Sequence, residues 1–372
     1  CHRLILSGSC APPVVLGVSF AAESLYCACP LVPIERVRTS KLCHLVIELL
    51  RLLLAVWALW LNAVAQAEDS GVPNPLGLQQ ALAYAERHPR ARLGGESPQG
   101  FPRRQPLYLD CHRLAYSSTS GIDNRRNRPL DPLIAPVAAQ QMEILERFFD
   151  VLLADLTYAR YNESMAVAYV QFDRASSRRE LGQYSDLQVL ELEVAYQEVL
   201  RRRAASEVSQ RVTRSLLAQA IGHPRDLPRD LIAPALPVLP EPLPALDDLV
   251  AAAWHGNPRL VTLGQGRNEA ARQLIDMELR QQLLELLLRL EALQIAGQHA
   301  RTSSAWRDLR LEESRTLYEQ EVRADLGFAM SQQTKARLDE QRVVYCRAMA
   351  WAELNALRGE PVWPHAHREA EP

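Results

Sequence analysis

Residue types that carry chemistry are present in this 372-residue chain, but their spacing suits none of the common reactions. Asp110-Cys111-His112 sets a carboxylate, a thiol and an imidazole side by side, three kinds of metal ligand. Adjacent ligands without a partner at a known spacing do not build a tetrahedral site, and a plain loop is the simpler reading. His365-Ala-His367 stands in a charged tail. Gly264-Gln-Gly266 lacks the third glycine and the strand-before, helix-after setting of a dinucleotide site. Asp123, Asn124 and Asp131 stand among arginines without a paired carboxylate or a nucleophile beside a base. Arg201-Arg202-Arg203 is basic but short, and it reads as a solvated helix face rather than a nucleic-acid footprint. No catalytic set can be assembled from these residues. The expectation is therefore a protein that is not an enzyme, with no cofactor, no metal and no nucleic-acid partner.

The elements that would position such residues are repeated. Leu78-Gln-Gln-Ala-Leu-Ala-Tyr-Ala-Glu-Arg-His88-Pro89 returns as Leu249-Val-Ala-Ala-Ala-Trp-His-Gly-Asn257-Pro258. Each copy runs into long, breaker-poor sequence and closes on Leu-x4-Gly-x-Pro, once at Leu217 to Pro224 and again at Leu354 to Pro361. Duplication at this scale sets the architecture and favours an assembly of helical hairpins over a pocket enzyme.

Ahead of the repeats, residues 51–67 hold a short apolar core before Ala65-Gln66-Ala67, with Arg36, Arg38, Lys41 and Arg51 upstream. Residues 46–67 are expected to be a secretory signal, with the mature chain starting at Glu68. An uncleaved anchor or a buried helix is the alternative, and the run is short for a full span. Met142 is the first methionine, and Cys1, Cys10, Cys27, Cys29 and Cys43 crowd the start. Residues 1–45 are therefore expected to be a non-native upstream extension. Cys111 and Cys346 remain after the signal; in an exported protein they could pair, but two cysteines do not make a disulfide framework. The formal net charge is −2, which favours no strongly charged partner.

Residues 68–223 read as a first repeat and 246–361 as a second, joined by a Pro-rich linker at 224–245 and followed by a polar tail at 362–372. Within the first, 137–178 has no Gly or Pro, and Met142, Leu145, Phe149, Leu152 and Leu156 recur at helical spacing. Gly182 breaks the pattern and Ser185 or Asp186 can cap a second helix over 186–221, which Gly222 and Pro224 stop. The two form an antiparallel hairpin roughly 55–65 Å long. In the second repeat Leu279, Leu283, Leu286, Leu290 and Leu293 alternate spacings of four and three, a coiled-coil seam. A helix over about 325–358 returns beside it. The first repeat is the longer, and its surplus is a Pro-rich polar insert at 94–136, read as loop with a possible short strand at 107–116.

This organisation resembles the TolC-like outer-membrane efflux protein family over about 76–361. The family opens each half on a short helix ending in Asn-Pro, as at His88-Pro89 and Asn257-Pro258. Its first hairpin turns on Gly-x-x-Ser-x-x-Asp-Val-Leu; here Gly182-Gln-Tyr184-Ser185-Asp-Leu-Gln188-Val189-Leu190 has Gln188 in place of the acid. Tyr318 to Met330 looks like the second turn, with Glu321 where Gly is usual. The resemblance implies a homotrimer whose hairpins close into a periplasmic tunnel at the outer membrane. It also implies a periplasmic adaptor (membrane-fusion) protein and an inner-membrane pump as partners. Gly182, Tyr184 and Ser185 would form one partner-binding tip, and Glu321 and Val322 the other. Family members insert a strand pair into each half for a barrel; here 267–293 reads as helix and leaves no room for it. The expected fold is all-α, two tandem repeats of long antiparallel helical hairpins, a TolC-like α-barrel protomer with little or no β-barrel. The alternative is a barrel-less periplasmic helical scaffold with no transport activity.

Overall fold

A computed structural model of the chain describes residues 71–93, 103–116, 132–320 and 326–364. The chain divides into units 1–69 and 70–372, and every described residue belongs to the second. The expected extension at 1–45, the signal at 46–67, the Glu68 start, the turn residues Glu321 and Val322, His365 and His367 all lie outside the described residues, as does much of the 94–136 insert.

The fold is all-α with little β structure. Strand β1 (Leu76–Gly77) leads into α1 (Leu78–Ala83), a 3-10 turn at Tyr84–Arg87 and α2 (Pro89–Leu93). Helix α3 (Cys111–Tyr116) belongs to the insert, and the first hairpin is α4 (Pro136–Glu180) with α5 (Asp186–Ala220). Strand β2 (Leu231–Ile232) pairs in parallel with β1, Leu76 opposite Leu231. Then come α6 (Leu246–Gly256), α7 (Pro258–Gly264) and the second hairpin, α8 (Glu269–Glu319) with α9 (Leu326–Arg358).

The long helices follow from their start and stop signals. Pro136 occupies the first turn of α4, where its missing N–H costs nothing. After 45 residues, about 68 Å at 1.5 Å per residue, Gly182 takes φ 71° and ends it. Ser185 and Gln188 then form a reciprocal capping box at the start of α5. Asn268 caps α8 by accepting the Ala271 N–H at 2.9 Å. Residues 224–245 are extended, as their prolines require, but they are not a free tether: the Asp230 carbonyl accepts the Leu76 N–H at 2.9 Å, and Arg214 of α5 reaches both Asp155 and the Arg229 carbonyl.

Helices α4 and α9 pack against each other, with α5 against α4 and α8 against α9. The four form a layer with α5 and α8 at its edges. Leu279, Leu283, Leu286, Leu290 and Leu293 are each at most 1% exposed. Near the end that carries the short helices, Phe149 stacks on Tyr345 at 4.4 Å and meets the Trp363 edge at 5.8 Å. Burial of side chains this size stabilises by about 1.5–3 kcal/mol each, and the aromatic contact adds about 0.5–1.5 kcal/mol.

The insert departs from the expected strand at 107–116. Its backbone N–H groups at Leu107, Tyr108 and Leu109 go to the Asp150 carboxylate of α4, at 2.9, 2.7 and 3.2 Å, instead of to a neighbouring strand. Asp110 then caps the Arg113 N–H at 3.2 Å, and the chain coils into α3. Cys111 and Cys346 are joined, which fastens α3 to α9 across 235 residues of sequence. A bridge closing so long a loop removes much freedom from the unfolded chain, about 5–6 kcal/mol in the chain-entropy picture.

Candidate interaction surfaces and repeat joints

The residues singled out for the first turn stand together. Gly182 donates its N–H to the Arg179 carbonyl and Gln183 to Arg178, both at 2.9 Å, closing α4 in a left-handed cap. A Cβ on Gly182 would meet nothing within 4 Å, so only its positive φ demands glycine. Arg178 lies over the Tyr184 ring at 5.8 Å, and Ser185 caps α5. Leu181 and Leu187 stand exposed on either side. The turn is thus a rigid cap with apolar side chains turned to solvent.

The described start of α9 sits at a different height from the first turn. Gly327, early in α9, lies so close to Val167 of α4 that a Cβ there would come within 2.7 Å of the valine methyl. Val167 precedes Gly182 by roughly 22 Å of helix. Within one chain, the first turn therefore reaches past the described start of α9, and Glu321 and Val322 lie outside the described residues.

Apolar side chains also mark the edge helices. Along α8, Leu274, Met277, Leu284, Leu288, Ile295, Trp306 and Leu309 are exposed, Ile295 at 69% and Leu309 at 73%. At 100° per residue they share one stripe about 100° wide, opposite the buried leucine seam. Along α5, Leu187, Leu190, Val194, Val208 and Val212 form a second stripe. Only one α8 seam was legible from leucine spacing, because the second is broken by Gln281, Glu291 and Gln298.

The repeated phrases turn out to be two joints. In the second half the Asn257 amide donates to the Leu133 and Leu357 carbonyls, both at 2.9 Å, and its oxygen accepts the Arg259 N–H at 2.9 Å. In the first half the His88 ring accepts the Arg90 N–H at Nδ1 and meets the Gln219 carbonyl at Nε2, both at 3.2 Å. That pairing requires a neutral ring with its proton on Nε2. Burial pushes the His88 pKa below the ordinary imidazole value, opposed by the Gln219 bond. Burial likewise pushes the Asp150 carboxyl up, against the pull of the Leu107 and Tyr108 N–H groups.

For metal chemistry, Cys111 is committed to its disulfide and His112 faces the Arg289 guanidinium at 3.3 Å. Among the described residues no three His, Cys, Asp or Glu side chains gather as metal ligands, and no helix is long and apolar enough to cross a membrane.

No protein-family model and no curated protein matches this chain. In structure it is similar to CusC, whose crystal structures concern conformational changes accompanying folding and transmembrane channel formation. The likeness has a TM-score of 0.49 and 14% identity, and covers 76% of this chain and 96% of CusC. It is also similar to a membrane protein from Pseudomonas aeruginosa, with a TM-score of 0.45 and 12% identity, over 60% of this chain and 69% of that one. At these scores the likenesses carry no weight for function, and the architecture stands on the chain's own helices and joints.

Proposed function

We propose that this chain is one protomer of a TolC-like helical duct at the outer membrane, a homotrimer through which a partner pump drives export. The observation that carries this reading is the pair of exposed apolar stripes on the two edge helices, α5 and α8. An open apolar edge on each side of a layer suits a head-to-tail contact, α5 of one copy on α8 of the next, and such contacts generate rings when the rotation closes. Each Leu, Ile or Val fully buried there would contribute about 1.5–3 kcal/mol, enough in sum to favour assembly over a solvated edge.

In this reading the signal at 46–67 is removed, the mature chain starts at Glu68, and the protein works with a periplasmic adaptor and an inner-membrane pump. The turn with Gly182, Tyr184 and Ser185, and the one with Glu321 and Val322, are the adaptor-facing tips. The mechanism is passive: the ring supplies a path and the pump supplies the energy. No nucleic acid takes part.

A second reading, the barrel-less periplasmic scaffold, is favoured by one observation. Helix α8 runs unbroken from Glu269 to Glu319 through the stretch where the second half of the family carries strands. Membrane fractionation of the expressed protein, followed by mass determination of the extracted species, separates the two. An outer-membrane trimer beginning at Glu68 supports the duct. A soluble periplasmic monomer or dimer withdraws transport and leaves the scaffold.

A further inference from the structure

A groove where the first hairpin, α9 and the insert meet gathers more positive charge than its neighbours neutralise. It has a volume of about 260 Å³, and Arg160 and Tyr161 of α4, Arg201 and Arg202 of α5, Arg342 of α9 and Tyr108 of the insert line it. Its described lining includes no carboxylate. The described ion pairs of these arginines are with Glu198, which takes both Arg201 and Arg202 at 2.8 Å, and with Asp339, 3.5 Å from Arg342. Four guanidinium groups thus face two carboxylates. Hydrogen bonds from Arg201 and then Arg202 hold Glu198 down at about 2, so that acid is already fully used.

Two of the arginines are incompletely satisfied. Arg160 lies over the Tyr161 ring at 5.0 Å, and no described carboxylate pairs with it. The Nε of Arg342 is buried without a hydrogen-bond partner in the structure. A solvated basic face is the bland account of Arg201 and Arg202, which are exposed on one helix. It does not account for Arg342 and Tyr108, which come from distant segments and are partly buried.

We propose that this groove binds a small phosphoryl anion, either free in solution or as the phosphate headgroup of a lipid. The planar fork of arginine matches phosphate oxygens and forms charge-assisted bonds with them. The Tyr108 hydroxyl also lines the groove, while the Thr157 and Ser209 hydroxyls already donate to the Leu153 and Ala205 carbonyls, at 2.7 and 2.9 Å. The groove is built within a single chain, so the inference does not rest on the proposed duct.

The test uses the full chain. Isothermal titration with sodium pyrophosphate at low salt should show one saturable site per chain, weakening as salt rises. Arg160→Gln and Arg342→Gln should each weaken binding about tenfold or more, the loss of one charge-assisted bond. Arg211→Gln, on α5 but outside the groove, should not. Arg160 breaks no ion pair when replaced, and an unchanged helical circular dichroism spectrum confirms that its variant is folded. Co-sedimentation with phosphatidylcholine vesicles containing phosphatidic acid identifies the source. Vesicle binding that pyrophosphate displaces and Arg160→Gln abolishes assigns the site to a lipid headgroup; pyrophosphate binding alone assigns it to a soluble anion. Absence of saturable binding to both probes, or binding equal to the parent in both groove variants, overturns the proposal.

Discussion

The two halves of the chain are closed by the same kind of joint, made with different residues. In each, the residue before a proline reaches back to the carbonyls at the end of the closing helix, and a glycine just beyond that helix takes positive φ, 83° at Gly222 and 76° at Gly359. The His223 N–H reaches the Ala218 carbonyl and the Glu360 N–H reaches Asn355, both at 2.9 Å, so the two helix ends are the same cap. The difference lies in how closely the joint is pressed. Asn257 is 0% exposed and spends its whole amide on three backbone groups. A Cβ on Gly359 would lie 2.2 Å from the Gly256 carbonyl oxygen, and one on Gly256 2.6 Å from the Arg358 carbonyl oxygen. At the first joint a Cβ on Gly222 would meet only the His88 ring, at 3.3 Å. One joint is backbone against backbone and cannot give; the other is backed by a side chain that can. Repetition of a motif therefore does not mean repetition of its energetics.

The largest expected effect falls on the tight joint. Gly359→Ala should destabilise by about 2–5 kcal/mol, combining left-handed strain with overpacking against rigid backbone. Chemical denaturation measures it, and a loss no larger than that of Gly222→Ala would erase the distinction. Asn257→Ala comes next, at about 2–4 kcal/mol, because it removes the cap on Arg259 and orphans two buried carbonyls. Restored stability in Asn257→Asp would show that the cap alone matters, since the acid can accept from Arg259 but cannot donate to Leu133 and Leu357. At the loose joint Gly222→Ala should cost about 1–2 kcal/mol, the left-handed strain with little added crowding.

The smallest effect is a pH dependence confined to the first half. Because the folded His88 pKa lies below its unfolded value, the unfolded chain binds the proton more readily in that window. The His88 contribution is present in full above about 6.5, the unfolded imidazole value, and is lost as pH falls through the folded pKa. Denaturation midpoints compared above and below that value should show a decline that His88→Asn reduces. Equal declines in the parent and the variant would place the titration elsewhere.

How much of this was legible in sequence depended on range. Long helices could be read because 137–178 contains no breaker, and their ends could be read because Gly182, Ser185 and Gly222 are local stop and start signals. The closing phrases were visible as repeats, but that each folds onto the proline of its own opening phrase was not, since nothing in Asn257-Pro258 names Leu357 as a partner. The same applies to Asp150. It looks like one acid among many on α4, yet it holds three N–H groups of the insert and turns an expected strand into a loop and a short helix. Of the residues singled out at the two turns, Gly182, Tyr184 and Ser185 are described, while Glu321 and Val322 are not.

By itself the amino-acid order determined what is local: helix lengths, caps, the extended course of the proline-rich joint and the leucine seam that faces inward. These follow from backbone sterics and from apolar spacing within a few turns, both of which are written in consecutive residues. Only the tertiary structure decided that Cys111 reaches Cys346, that the two repeat joints differ in tightness, and that four arginines share one groove. Each of those depends on contacts between segments distant in sequence, where packing geometry rather than residue type chooses the partner.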